Sequence, residues 1–424
     1  MNSTVQLIIQ FFTSLRLTVV LLALSVVLVF FGTLDQVHYG IWKTQEMYFQ
    51  SWFVVWHYPE QWKWSEYIGW FFLPMPAGYT LGAFLLVNLL AAHIYRFKLS
   101  WKKSGIFLVH LGLIILLVSE LLTHLVTTES QMPIDVGTSR NYSIDFLDNE
   151  LVFIDRTDPE VDTVHSIPVS LLYSHRWQQL PRPLRQIMHS IPLFRPDIWV
   201  DVPGTELSIR TVAFYENAAV GRQREGAPSR QSIADRGLAQ SMGIVAHPME
   251  PVYSEQETNT ATAFIEVRHG HESLGIWLVS NVLDERFPPQ MVEVGDREME
   301  VALRFRRYYH PFEIELLEFT HARYPGTDIP HNFASEVRIH HNDPSRDRSG
   351  LIFMNNPLRY EGLTFYQASF ANDDQTSVLQ VVRNPGWTLP YVAVAMMFLG
   401  LVVQFGMHFI RFLRKRGRTK GATE

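Results

Sequence analysis

The sequence has 424 residues, of which 47% are hydrophobic and 18% charged, and its formal net charge is −6. It is long enough for more than one domain, and its apolar residues are bunched into four long runs, a pattern that points to a membrane protein. Cysteine is absent, which excludes thiol exchange, haem attached covalently through Cys-x-x-Cys-His, iron–sulfur clusters and Cys-ligated zinc.

The first apolar run follows Arg16, from Leu17 to Phe31, and continues through Gly32-Thr-Leu34 into Asp35-Gln36. It is about the minimum for a span of roughly 20 residues. No small-residue cleavage site follows it, so an uncleaved helix is expected. The segment 35–70 carries Trp52, Trp56, Trp62, Trp64 and Trp70 with His57 among them. Such a cluster could cover a porphyrin face, but enrichment of this kind is what an interfacial aromatic belt predicts. The second run, Ala77 to Ile94, starts after Pro74-Met-Pro76, where proline can precede a helix but not continue one. The third run is Gly105 to Leu125 and the fourth Leu389 to Ile410.

Four spans put both termini on one side. Lys and Arg near span ends stay cytoplasmic. The second connection carries Arg96, Lys98, Lys102 and Lys103, and the tail carries Arg411, Arg414, Lys415, Arg416, Arg418 and Lys420. The termini and residues 96–103 are therefore expected in the cytoplasm, with 35–70 and 126–387 outside.

From Met132 onward, short alternating runs replace the apolar ones, among them 150–155, 262–268, 313–320, 335–340 and 377–383. Period two with β-branched and aromatic residues predicts strands, separated by turns such as Asn384-Pro-Gly386. Residues 216–260 are rich in Gly, Ser, Gln, Ala, Arg and Glu, and a long mobile loop is expected there. A short helix is expected over 184–191. The expected fold is thus an α-helical membrane protein with four transmembrane helices and a large antiparallel β-rich exported domain inserted between helices 3 and 4. Its parts are a membrane domain over 1–125, the exported domain over 126–387, the fourth helix over 388–411 and a basic cytoplasmic tail over 412–424.

His110 is the residue that the membrane reading singles out. Gly105 to Val118 contains no acidic or basic residue besides this imidazole, and an ionisable group at membrane depth is a functional-site candidate by default. Counted from Lys103 it lies about 10 Å inside the cytoplasmic boundary. A neutral imidazole there could ligate haem iron, relay protons or hydrogen-bond a neighbouring helix. Gly112 would admit a close helix or a flat macrocycle. His93 and His408 close the second and fourth spans near the same boundary, and Glu120 with His124 forms a plausible helix pair at the other. Counted from span ends, His93 and His110 are offset by roughly 6 Å. His269-Gly-His271 and His340-His341 lack a third ligand at useful spacing and read as solvated turns. No phosphate loop, nucleophile elbow or metalloprotease helix occurs.

Several blocks resemble the ResB (CcsB) family of cytochrome c biogenesis membrane proteins. The blocks are Phe31-Gly-Thr-Leu-Asp-Gln36, Asn88-Leu-Leu-Ala-Ala-His-Ile-Tyr-Arg-Phe97, His110-Leu-Gly-Leu-Ile-Ile-Leu116, Arg323-Tyr-Pro-Gly-Thr-Asp-Ile-Pro330 and Met354-Asn-Asn-Pro-Leu-Arg-Tyr-Glu-Gly-Leu-Thr-Phe-Tyr-Gln-Ala-Ser369. The resemblance implies a bacterial inner-membrane protein that partners a CcsA/ResC-type membrane protein, delivers haem across the membrane and serves its attachment to apocytochrome c. It implies a non-catalytic or accessory subunit of a haem lyase complex, with membrane lipid and no nucleic acid among its partners. It further implies that haem is held transiently and shared with the partner, with His110 as an axial iron ligand and His93 tuning or replacing it. The Trp-Gly-x-x-Trp-x-Trp-Asp pattern of the partner is absent here. Two other readings remain open: a membrane electron-transfer cytochrome holding haem b between its own helices, and a structural anchor for an outward binding domain.

Overall fold

A computed structural model of the chain describes residues 3–59, 62–96, 100–158, 161–172, 199–222, 233–252, 258–295, 297–324, 326 and 330–420. The helix expected over 184–191 lies outside them. The chain divides into two compact units, one made mainly of residues 1–128 and 383–424, the other of 129–252 and 257–382.

The first unit is helical. It contains α1 (Ser3–Phe12), α2 (Leu15–Thr44), α3 (Ser65–Ile68), α4 (Gly78–Ala91) and α5 (Ser104–Val126), and it is completed at the far end of the chain by Leu389–Lys420. Four of its helical stretches are long and apolar enough to cross a membrane: Leu15–Phe49, Gly78–Tyr95, Trp101–Val126 and Leu389–Arg414. The chain is a multi-pass membrane protein. α2 runs well past the expected end near Leu34, because the apolar run gives way to Gln, His and Tyr without a helix breaker until Gly40, whose φ of 74° interrupts the helix. A π-helical turn, Gln45–Phe49, then leads into a hairpin of β1 (Phe53–His57) and β2 (Phe72–Pro76). Its register runs from Phe53 opposite Pro76 to His57 opposite Phe72.

Small residues determine how the third and last spans meet. Gly105, Gly112 and Ser119 recur every seven residues on α5 and are buried. A Cβ at Gly105 would lie 2.6 Å from the Gly400 carbonyl oxygen, and one at Gly112 would lie 2.7 Å from that of Ala393. The backbones therefore approach as closely as small-residue seams allow. Gly112 thus admits a helix of its own chain.

The second unit is antiparallel β structure. In chain order it holds β3 (Thr128–Asp135), β4 (Ser139–Asp155), β5 (Thr163–Pro168), α6 (Val169–Leu172), β6 (Val200–Asp201), β7 (Leu207–Tyr215) and β8 (Ala218–Arg222). Then come α7 (Gly237–Met242), β9 (Ile244–Pro248), β10 (Thr262–His269), β11 (Glu272–Ser280), α8 (Leu283–Arg286) and β12 (Gln290–Val294). The run ends with β13 (Arg297–Arg323), β14 (Pro330–His341), β15 (Arg348–Phe353), β16 (Leu358–Tyr360), β17 (Leu363–Ala371) and β18 (Thr376–Arg383), before α9 (Leu389–Lys420). All five strand segments expected from alternation lie in strands. A ten-stranded sheet follows the order β15-β14-β13-β4-β3-β18-β17-β16, with β12 and β5 at its side, and a four-stranded sheet runs β11-β10-β7-β6. β13 spans both halves of the large sheet. Pro311 falls where its pairing to β4 shifts register, between Tyr309 and Ile314, as expected for a residue that cannot donate to a ladder.

The expected mobile loop over 216–260 is corrected for the described residues. β8 pairs with β9 through five rungs, from Ala218 opposite Pro248 to Arg222 opposite Ile244. Ala234, Leu238, Ala239 and Ile244 are buried with Phe264 and Leu278. The window is polar on average, but these few residues recur on one side and bury together, which stabilises the hairpin despite its composition.

Candidate functional site

The imidazoles of His93 and His110 meet. Nδ1 of His110 lies 3.0 Å from Nε2 of His93, with the two rings 4.8 Å apart and nearly perpendicular at 82°. The 6 Å offset expected between them was reckoned from span ends taken as level. In the structure α4 passes into a π-helical turn, Ala92–Arg96, that contains His93, and α5 supplies the opposing ring. Single π turns recur at functional sites because they displace one residue from the regular helical register.

The hydrogen bonds set the protonation pattern of the pair. Nδ1 of His93 lies 2.9 Å from the Leu89 carbonyl oxygen. A carbonyl only accepts, so the proton sits on that Nδ1. Nε2 of a neutral His93 is then an acceptor, and Nδ1–H of His110 donates to it. Nε2 of His110 is left with an open lone pair and no hydrogen bond among the described residues. The chain Leu89 to His93 to His110 thus presents a single unprotonated imidazole nitrogen, on a ring whose tautomer and orientation the His93 acceptor fixes.

The direction of His110 follows from helix geometry. At 100° per residue it projects about 140–180° away from Gly105, Gly112 and Ser119. One side of α5 is therefore committed to α9 and the other carries the imidazole. A separation of 3.0 Å is a hydrogen bond, and it leaves no room for iron between the two nitrogens, since metal–imidazole bonds are about 2 Å each. As placed, the two facing nitrogens cannot be two ligands of one ion.

Other singled-out residues have separate partners. His124 lies 2.8 Å from the Tyr79 hydroxyl through Nε2, so the expected pair with Glu120 is replaced by a contact to α4. Gln404 Nε2 donates to His408 Nε2 at 2.9 Å within α9. His269 pairs with Glu206 at 3.0 Å and His340 with Glu315 at 2.9 Å. Of the loop tryptophans, Trp56 is buried at 4% exposure, whereas Trp52, Trp64 and Trp70 are 60%, 58% and 77% exposed.

Asp35 is the residue that the sequence reading missed. It is buried, and it accepts from the Tyr48 hydroxyl at 2.7 Å and from Trp56 Nε1 at 3.0 Å. Gly32, one helical turn earlier, packs under the Tyr48 ring. The Gly-Thr-Leu-Asp stretch therefore pins the π turn and the β1–β2 hairpin to the end of α2. An acid closing an apolar run just before an aromatic loop is the signal that could have identified it. Asn88 does similar work at the opposite end of the span: its amide donates to Phe12 O at 2.7 Å and its oxygen accepts from Thr18 Oγ1 at 2.6 Å, holding the break between α1 and α2.

The β unit holds two buried polar centres. Arg304 donates to Glu150 at 3.1 Å, with both side chains 6% exposed. His310 contacts Ser143 Oγ at 3.1 Å and stacks on Phe312, and burial pushes its imidazole down to about 4. Among the described residues no group of three or more His, Asp or Glu side chains could hold a metal ion.

Four membrane-crossing helices, a supported intramembrane imidazole and a large antiparallel β domain define a polytopic membrane protein with a sizeable β-rich extension. Residues 290–377, from β12 to the start of β18, match the ResB-like family. Over 129 residues it is 33% identical to Protein NrfI of Wolinella succinogenes, a stretch covering 30% of this chain and 14% of the length of that relative.

Proposed function

We propose that this protein acts in cytochrome c maturation, as the subunit that holds haem at the membrane and passes it on for attachment to apocytochrome c, together with a CcsA/ResC-type partner. The ResB-like match over 290–377 and the likeness to Protein NrfI support the cytochrome c biogenesis role. The observation that carries haem handling is the open Nε2 of His110, fixed by the hydrogen bond to His93.

Haem is cargo in this reading. His110 would supply one axial imidazole, and the partner the other. His93 holds the proton on Nδ1 of His110 and keeps the ring oriented. A ligand set divided between two chains couples retention of haem to assembly of the complex, because either half alone leaves the iron one ligand short. The same geometry argues against a cytochrome that ligates haem b between its own His93 and His110. On this reading the termini are cytoplasmic, and the β unit lies outside, where it would scaffold the apocytochrome or the partner's outer loops.

Co-purification of the chain with a CcsA/ResC-type protein, followed by haem quantitation, tests the proposal. Wild-type complex should retain haem and the His110→Ala complex should lose most of it. Equal haem in both would overturn the assignment.

A further inference from the structure

The β1–β2 hairpin presents an apolar face to the outside of the molecule. Opposite residues in an antiparallel register share a face, so Phe53, Val55 and His57 of β1 lie beside Pro76, Pro74 and Phe72 of β2. β1 alternates strictly, with Val54 and Trp56 buried and Phe53, Val55 and His57 exposed. Phe53 is 74% and Phe72 57% exposed. The back of the hairpin is fastened to α2 through Trp56 and Asp35, so the front is a firm platform. From Phe53 to His57 it extends about 13 Å at 3.3 Å per residue.

One polar side chain interrupts this face. His57 is exposed, its ring lies 6.3 Å from that of Phe72, and it makes no side-chain hydrogen bond among the described residues. Neither strand contains a charged residue. Acyl chains would suit Phe53, Val55 and Phe72 but would leave both imidazole nitrogens unpaired, which costs about 1–3 kcal/mol per unmet polar group. A ligand that matches the whole face is flat, largely apolar and able to accept a nitrogen lone pair at its centre.

We infer that this hairpin face is a second binding site for a planar iron porphyrin, with His57 as the iron ligand and Phe53, Val55 and Phe72 covering the macrocycle. The inference rests on the haem-handling reading above. His57 belongs to the loop at the Asp35 end of α2, whereas His93 closes the opposite end of α4, so the two imidazole sites are separate.

Haemin titration of the purified full-length chain in lipid nanodiscs tests this, read by the Soret band. In a His93→Leu/His110→Ala background, which removes both membrane imidazoles of the first site, a haemin site should persist. Adding His57→Ala should weaken it by about tenfold or more and remove the imidazole-ligated band, and free imidazole should restore the band. Phe72→Ala, which keeps the ligand, should weaken binding without changing the band position. The inference fails if the His93→Leu/His110→Ala chain binds no haemin, or binds it identically with and without His57. It also fails if brominated acyl chains quench the Phe53→Trp chain more than the wild type, because the face would then be covered by lipid. Failure of the underlying reading looks different: His110→Ala alone would leave the haem content of the complex with its partner unchanged.

Discussion

Nδ1–H of His110 donates to Nε2 of His93 across 3.0 Å, and this single contact makes the two imidazoles inequivalent. One ring faces outward with a lone pair to give. The other, anchored on Leu89 O, holds that ring in place.

The first prediction concerns the supporting ring. His93→Leu removes the acceptor and lets the His110 ring turn and change tautomer, so on the proposed reading haem affinity of the assembled complex should fall by about 10- to 100-fold. His93→Gln can still accept through its amide oxygen and should recover much of the loss. Haem titration of the two variants checks this, and equal losses would show that His93 does something other than accept.

Much of this arrangement could be read in the sequence, and what could not has definite causes. The four spans and the five strand segments were legible because burial imposes an apolar run on one and a period of two on the other. His110 was legible because nothing else ionisable lies from Gly105 to Val118. Its contact with His93 was not, because it depends on how far α4 and α5 slide past each other and on a π turn that no residue pattern announces. Asp35 was passed over as the polar end of a span, although its partners Tyr48 and Trp56 lie 13 and 21 residues on. The order within 216–260 is not legible because the polar average over the window hides Leu238 and Ile244, which are buried.

The helix seam is tested by volume. Gly112→Val would bring a side chain against Met397 and the Ala393 carbonyl. Overpacking of this kind costs about 1–3 kcal/mol. Thermal unfolding in detergent should show a lowered midpoint for Gly112→Val and little change for Gly82→Val, since a Cβ at Gly82 has no atom within 4 Å. The chain lacks cysteine, so a cysteine pair at 112 and 393 should cross-link within one chain.

In the β unit, Arg304 and Glu150 form a buried pair whose separation leaves a charge without compensation. Arg304→Ala should destabilise by about 3–5 kcal/mol. Replacing both residues together by Met and Leu should cost far less. Chemical denaturation of the full chain distinguishes the cases, and similar losses for the single and double variants would show that the charge pairing is immaterial.

His310 gives a pH dependence with a fixed sign. Its folded value is lowered to about 4 by burial, below the ordinary value near 6.5. The unfolded chain therefore gains a proton at this residue before the folded one does, and the stability this residue contributes falls as pH drops from about 6.5 to 4 and is gone below it. The effect should be on the order of 2 kcal/mol after allowing for partial solvent access. His310→Gln should be less sensitive to pH between 7 and 4 than the wild type in denaturant titrations. Parallel curves for the two proteins would refute the assignment.

The most direct measurement is chemical rescue at His110. In complex with the CcsA/ResC-type partner, His110→Gly should lose the bis-imidazole absorption spectrum, and millimolar imidazole added to the purified complex should bring it back. An unaltered spectrum in the His110→Gly complex before any imidazole is added would contradict the account.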